Sequence, residues 1–302
     1  VFKQKKILVL LVILIVAAIF LFIFKKDNQS TDSNTISIAV MGEPATLDPN
    51  YASGKWEHDI IANIFSGLTT KDAAGNTIPE MATRWTISAD GTVYTFYLRD
   101  SKWSDGVPVS AHDFVYGYQR MLDPQSATTY AQLLYIIKGA EEFNTGKASK
   151  ETLKVKAIND NTLEITLKNP ASYFISMLHH YAFFPVPKHV VEKFGKSWSK
   201  PENIVNNGSY KVLEWKPNNY IKATRNPYYY DDAKSKIDNI MFYTQEDRSA
   251  VLKRFRANEI DIATDFSSDQ YEWLKENMKD QVKVYPFMGI YYLAFNMSNK
   301  TP

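Results

Sequence analysis

Leu98–Pro124 reads LRDSKWSDGVPVSAHDFVYGYQRMLDP and packs charges, aromatics, turn residues and a helix start into one stretch. Asp105-Gly106 is a turn pair, and Pro108 stiffens the approach to Ser110. Ser110 is placed to cap a helix, with Asp113 three residues on in the capping-box position, a cap worth ~1 kcal/mol. Phe114, Tyr118 and Met121 then fall at i, i+4 and i+7, so one helix face is buried, and Pro124 ends the helix. Each special residue has a folding role, and the stretch reads as scaffold.

Outward from it the period changes. Upstream, Asp90-Gly91 makes a hairpin turn; beyond it Tyr94, Phe96 and Leu98 face one way and Val93, Thr95, Tyr97 and Arg99 the other. Downstream, Leu163, Ile165 and Leu167 alternate with Glu164, Thr166 and Lys168. Tyr210–Trp215 and Tyr220–Thr224 flank a Pro-Asn-Asn turn and form a further hairpin. TISIAV, residues 35–40, reads as a first strand. Trp56–Leu68 reads as a helix with Ile60, Ile61, Ile64, Phe65 and Leu68 on one face. Toward the C-terminus, a helix over Asp247–Ala257 precedes a short strand at Ile260–Ile262, a helix over Ser268–Met278, and strands at Val282–Tyr285 and Ile290–Phe295. Irregular alternation with several hairpins predicts a mixed α/β fold with mixed sheets, not a strict βαβ barrel.

The 302 residues suffice for two or three domains. Aromatic residues make up 14%, led by 19 Tyr, a side chain suited to half-wet surfaces. With no cysteine, the chain has no disulfide, thiolate nucleophile, iron–sulfur cluster or lipid-modified cysteine. The run Ile7–Phe24, ILVLLVILIVAAIFLFIF, holds 18 uncharged residues between basic flanks. At ~1.5 Å per residue it approaches a bilayer core of roughly 30 Å. With no Ala-x-Ala site after it, residues 1–26 read as an uncleaved anchor rather than a signal peptide. The remainder of the chain is then exported, to the periplasm or the outer face of the membrane. Five of the 35 basic residues lie in 1–26, and the rest of the chain carries 30 basic against 33 acidic residues, which argues against a nucleic-acid surface.

Phosphate loops, dinucleotide fingerprints, nucleophile elbows and His-Glu-x-x-His are absent. None of His58, His112, His179, His180 and His189 has an i,i+4 partner. His179 and His180 diverge as neighbours, so structural roles are expected and no metal or cofactor is implied. Asp231, Asp232 and Asp238 lack the glycine and closing glutamate of a calcium loop. No nucleophile–base pair points to an enzyme.

The opening stretch, extended to YTFYLRDSKWSDGVPVSAHDFVYGYQRMLDP, resembles the signature region of the oligopeptide-binding proteins of ABC importers, the family-5 extracellular solute-binding proteins. LDPNYASG (47–54), VKAINDNTLEITLKNP (155–170), PVPKHVVEKFG (185–195), NIVNNGSYKVLEW (203–215) and ANEIDI (257–262) follow the same pattern in order. The resemblance covers about residues 35–302. It implies a periplasmic-binding-protein-like type II clamp of two lobes, with 35–65 and 188–289 as domain I, 66–187 as an inserted domain II, and 290–302 as the start of domain III. Residues 27–34, DNQSTDSN, are a linker. Because family members continue for over 200 further residues, a clamp truncated near the hinge is expected.

The implied function is capture of oligopeptides for the membrane permease of an ABC importer, by a monomer. The alternative is a membrane-anchored remnant or accessory interaction protein with little or no ligand binding. By the same resemblance, Ser53, Gly54 and Lys55 offer a backbone edge to the peptide, and Gly54 permits close approach. Tyr130 contacts ligand from domain II, and Tyr291 and Tyr292 begin the wall of the second lobe.

Overall fold

The computed structural model describes residues 34–285 and 292, 293 and 295. The expected anchor and half of Ile290–Phe295, Tyr291 included, lie outside the described residues. Among the described residues no helix is long and apolar enough to cross a membrane. The chain falls into two compact units that divide between Asp265 and Phe266.

In the first unit, β1 (Thr35–Val40) leads to α1 (Lys55–Ile64), a short hairpin of β2 (Thr69–Lys71) and β3 (Thr77–Pro79), then β4 (Ala82–Ile87) and β5 (Val93–Leu98). The helix predicted after Ser110 is α2 (Ala111–Leu122). Next come β6 (Val155–Asn159), β7 (Thr162–Thr166), α3 (Lys188–Phe194), β8 (Tyr210–Lys216), β9 (Tyr220–Arg225), β10 (Asn239–Thr244), α4 (Arg248–Arg256) and β11 (Ile262–Ala263). In the second unit, α5 (Tyr271–Asn277) succeeds a 3-10 turn at Ser268–Gln270.

Two larger sheets organise the first unit. One has the order β11-β1-β10-β9-β8, and the other β4-β5-β7-β6. In the first, β1 pairs parallel with β10 and β11 while β10, β9 and β8 pair antiparallel, the mixed arrangement expected. The chain opens this sheet with β1, leaves to build the other, and returns with β8. Alternation is kept in β5 and β7, whose Tyr94, Phe96, Leu163 and Ile165 are buried while the residues between them are half-buried. Facing this layer, α2 buries Phe114, Tyr118 and Met121. The Tyr118 hydroxyl donates to the Phe183 carbonyl at 3.0 Å, so its one polar atom is satisfied within the core. The capping carboxylate is in place: Asp113 accepts from the Ser110 N–H at 2.8 Å. Burial pushes the Asp113 carboxyl upward, and the hydrogen bonds from Ser110 and Lys188 counter it.

Three boundaries differ from expectation. The first helix ends at Ile64, not Leu68, because Phe65 is extended and the Ile64 carbonyl accepts the Gly208 N–H at 2.9 Å. The apolar run continues into the core, but its backbone turns to meet the returning chain. The strand expected at Ile260–Ile262 forms at Ile262–Ala263, where β1 supplies the ladder opposite Ile38 and Ala39. Val282–Tyr285 is not a strand: alternation alone does not make one, and no described residue pairs with it.

Candidate functional site

The stretch LDPNYASG folds around one buried carboxylate. The Asp48 backbone carbonyl accepts from the Tyr51 and Ala52 N–H groups at 3.0 and 2.9 Å, and its side chain accepts from the Asn50 N–H at 3.0 Å. This is the Asx geometry that short acidic side chains favour. Arg120, from the last turn of α2, meets the same carboxylate with both terminal nitrogens, Nη1 to Oδ1 at 2.9 Å and Nη2 to Oδ2 at 2.6 Å. Nη1 also donates to the Asn50 side-chain oxygen at 2.8 Å. Trp198 Nε1 donates to Asp48 Oδ2 at 2.7 Å. Burial acts to lower the Arg120 pKa, but its hydrogen bonds to and charge interaction with Asp48 outweigh that, so the guanidinium pKa lies above its ordinary value. A forked, charge-assisted pair of this kind fixes orientation as well as position.

Ser53, Gly54 and Lys55 leave this anchor and begin α1. Ser53 is exposed, and its carbonyl accepts the Tyr130 hydroxyl at 3.0 Å. The structure thus brings together two residues expected separately: Tyr130 holds the segment that Ser53 belongs to. Gly54 is the N-cap of α1 with an extended backbone, so its role is space and not a special φ. A Cβ there would meet the carboxylate of Glu57 and the indole of Trp56. Glu57 is buried; its Oε1 accepts the Ala45 N–H at 3.0 Å, and its Oε2 has no hydrogen-bond partner. Lys55 is exposed and its ammonium pairs with Asp59, one turn along, at 2.8 Å. Tyr292 is exposed in the second unit, and Tyr291 lies outside the described residues.

Beside the segment stands a layer of rings. Tyr130 meets His180 edge-on with centroids 5.2 Å apart, and His180 stacks on Tyr181 at 4.4 Å. His58, from α1, lies 5.7 Å from the Tyr181 ring and 6.3 Å from His180. Burial, followed by the charges of His58 and His179, pulls the His180 pKa down to about 4. Burial also lowers His58, opposed by Asp59 and reinforced by Lys55 and Lys71. The three neighbouring histidines do not form a metal cluster, and no such cluster occurs among the described residues.

Reading the sequence alone missed Asp48, Asn50, Arg120, Trp198 and the His58–His180 layer. An arginine in the last turn of a helix is also the cation that complements a helix dipole. Nothing in its sequence position points to a carboxylate 72 residues away.

Residues 76–302 match the model for bacterial extracellular solute-binding proteins, family 5 Middle. Over 278 residues the chain is 38% identical to the periplasmic oligopeptide-binding protein OppA of Salmonella typhimurium, which covers 91% of this chain and 51% of that one. Over 260 residues it is 38% identical to the periplasmic murein peptide-binding protein MppA of Escherichia coli, covering 85% and 48% respectively. Among solved structures, Haemophilus influenzae OppA in complex with RPPGFSPFR matches with a TM-score of 0.79 and 33% identity, covering 83% of this chain and 50% of that one. The chain therefore spans about half the length of the curated relatives it matches.

Proposed function

The chain belongs to the bacterial extracellular solute-binding proteins of family 5, whose members matched above are binding proteins and not enzymes, and from that premise we propose that it serves in capturing peptides for an ABC importer outside the cytoplasm. The observation that carries this reading is the presentation of Ser53–Lys55. Ser53 and Lys55 are exposed, yet the Tyr130 hydroxyl holds the Ser53 carbonyl, and the segment leaves directly from Asp48, which Arg120 and Trp198 anchor. A strand-like peptide gains affinity from backbone hydrogen bonds, which ignore side-chain identity. An edge already held in place loses little conformational freedom when the peptide docks. In this reading Ser53, Gly54 and Lys55 provide the edge, Tyr130 positions it, and Tyr291 and Tyr292 belong to a second wall that closes over the ligand.

The division into lobes is part of the same proposal. Residues 35–65 and 188–289 form one lobe around the five-stranded sheet, and 66–187 form an insertion around the four-stranded one. Residues 1–26 tether the protein to the outer face of the membrane.

Isothermal titration of the full chain with tri- to pentapeptides of mixed sequence tests peptide capture. Saturable heat is expected. No heat at millimolar peptide would overturn the reading and favour an accessory interaction protein instead. Salt washing of membranes tests the tether: the chain is expected to stay in the pellet, and its release into the soluble fraction would discard the anchor.

A further inference from the structure

Backbone bonds along Ser53–Lys55 do not distinguish one peptide sequence from another, so selectivity has to come from the side chains that stand beside the segment. Two exposed aromatic residues flank it, Tyr51 before and Trp56 after. Tyr51 is already engaged, with the Arg120 guanidinium 4.9 Å from the centre of its ring. Trp56 is not. Among the described residues no other ring and no cation stacks on its indole, and its Nε1 has no hydrogen-bond partner.

Trp56 is the second residue of α1 and lies one turn before Ile60. It therefore carries the apolar face of the helix past the buried Ile60, Ile61 and Ile64 to the end where Ser53 and Gly54 enter. Its ring is laid against two glycines. A Cβ on Gly42 would come 3.1, 3.2 and 3.5 Å from Cδ2, Cε2 and Cε3 of the indole, and a Cβ on Gly54 would come 3.2 Å from Cε2. At both places the missing side chain lets the backbone close onto the ring. Contact with three adjacent ring carbons limits how the indole can turn, yet 38% of the residue stays open to solvent. A large ring that is both held and half-wet loses little freedom when something covers it, and binding surfaces are built on such rings.

We propose that Trp56 is the wall of a side-chain subsite on the Ser53–Lys55 edge, and that it selects a large apolar or aromatic side chain of the captured peptide. The proposal rests on the peptide-capture reading and adds the side chain that the site prefers. A peptide paired with the edge points successive side chains to opposite faces, so one position meets the ring and its neighbours do not. At that position an apolar side chain and the indole remove each other's apolar surface from water. An aromatic side chain gains ring–ring geometry in addition. This gain belongs to the side chain alone, so it adds to the backbone bonds and separates sequences that those bonds treat alike.

The test is isothermal titration of the full chain with Ala-Ala-Ala, with the three tripeptides that carry one Phe among alanines, and with the three that carry one Lys. Expected is one Phe isomer that binds about three- to tenfold tighter than Ala-Ala-Ala, and that isomer identifies the ligand position facing the ring. Trp56→Ala is expected to bring this ratio close to one, and Trp56→Phe to keep most of it. Should Trp56→Ala fail to fold, the difference in fluorescence between the parent and Trp56→Phe isolates this indole from the other five tryptophans. Its emission is expected to move to shorter wavelength with the preferred Phe peptide and not with Ala-Ala-Ala. If no Phe isomer binds tighter than Ala-Ala-Ala, the proposal is overturned and peptide capture stands. A Phe preference that survives Trp56→Ala also overturns it, as does a loss in that variant that is equal for Phe and Ala peptides. An equal gain from Lys would make the ring a cation site and overturn the stated chemistry. A shift on concentrating the protein without peptide would assign the ring to a second copy of the chain, again against the proposal. Failure of every peptide to bind overturns peptide capture itself, and this inference with it.

Discussion

Leu98–Pro124 and Leu47–Lys55 solve the same problem, holding an irregular backbone still, with different balances of near and distant contacts. In the first, the turn and the helix start are closed by neighbours in sequence, while its flanks bond to distant residues, the Leu98 and Ser104 N–H groups donating to the Asn161 and Asn206 carbonyls at 2.8 and 2.7 Å. The Gly106 N–H donates to the Trp103 carbonyl at 2.8 Å, and the Ser110–Asp113 contacts span three residues. The second is held largely from afar, by Arg120, Tyr130 and Trp198, which lie 72, 77 and 150 residues from their partners. A segment held by distant side chains is placed only once the whole unit has assembled, and it depends most on the buried Asp48–Arg120 pair.

The comparison breaks most sharply at Arg120. Arg120→Met leaves the Asp48 carboxylate buried with fewer donors, and the loss of one partner of a buried pair costs ~3–5 kcal/mol. Urea unfolding is expected to show a drop of that size, and a loss below 1 kcal/mol would mean that the segment does not depend on the distant clamp. Acid is expected to act next most strongly. The His180 pKa is about 4 in the folded protein, against 6.5 for an ordinary histidine. The unfolded chain therefore binds more protons between these values, and stability present above pH 6.5 is lost as pH falls toward 4. Melting temperature measured across this window should fall less in His180→Phe than in the parent.

Gly54→Ala sharpens the contrast from inside the segment, because its Cβ competes with the Glu57 carboxylate for one space. Overpacking of this kind costs ~1–3 kcal/mol, and Glu57→Ala in the same chain should recover part of the loss. At the local stretch, Asp113→Ala removes the capping carboxylate; the expected cost is ~1 kcal/mol with peptide affinity unchanged. Smallest of all is Tyr130→Phe, which deletes one exposed hydrogen bond worth ~0.5–1.5 kcal/mol at most. Its effect should appear in peptide affinity rather than in melting temperature, and the reverse pattern would make Tyr130 plain scaffold.

Legibility in the sequence divides along the same line. The alternations of β5 and β7, the hairpin of β8 and β9, and the cap of α2 were readable because period and turn chemistry are local. Strand position failed where a partner decides it: Val282–Tyr285 alternates as a strand does but pairs with nothing described, and β11 shares only Ile262 with its predicted place because β1 supplies the ladder at Ile262 and Ala263. Of the candidate site, Ser53–Lys55 and Tyr130 were named through a family resemblance, and their mutual contact emerged only in three dimensions.

By itself, then, the sequence determined the mixed α/β character, the capped helix after Ser110, the absence of cysteine chemistry and the family. Those depend on residue type and short spacing, which a chain carries before it folds. The tertiary structure alone decided that Asp48 and Arg120 share one buried contact, that Glu57 fills the space glycine leaves at Gly54, and that His58 and His180 stand together beside the exposed segment. These are consequences of packing between distant stretches, and no local pattern encodes which distant side chain arrives.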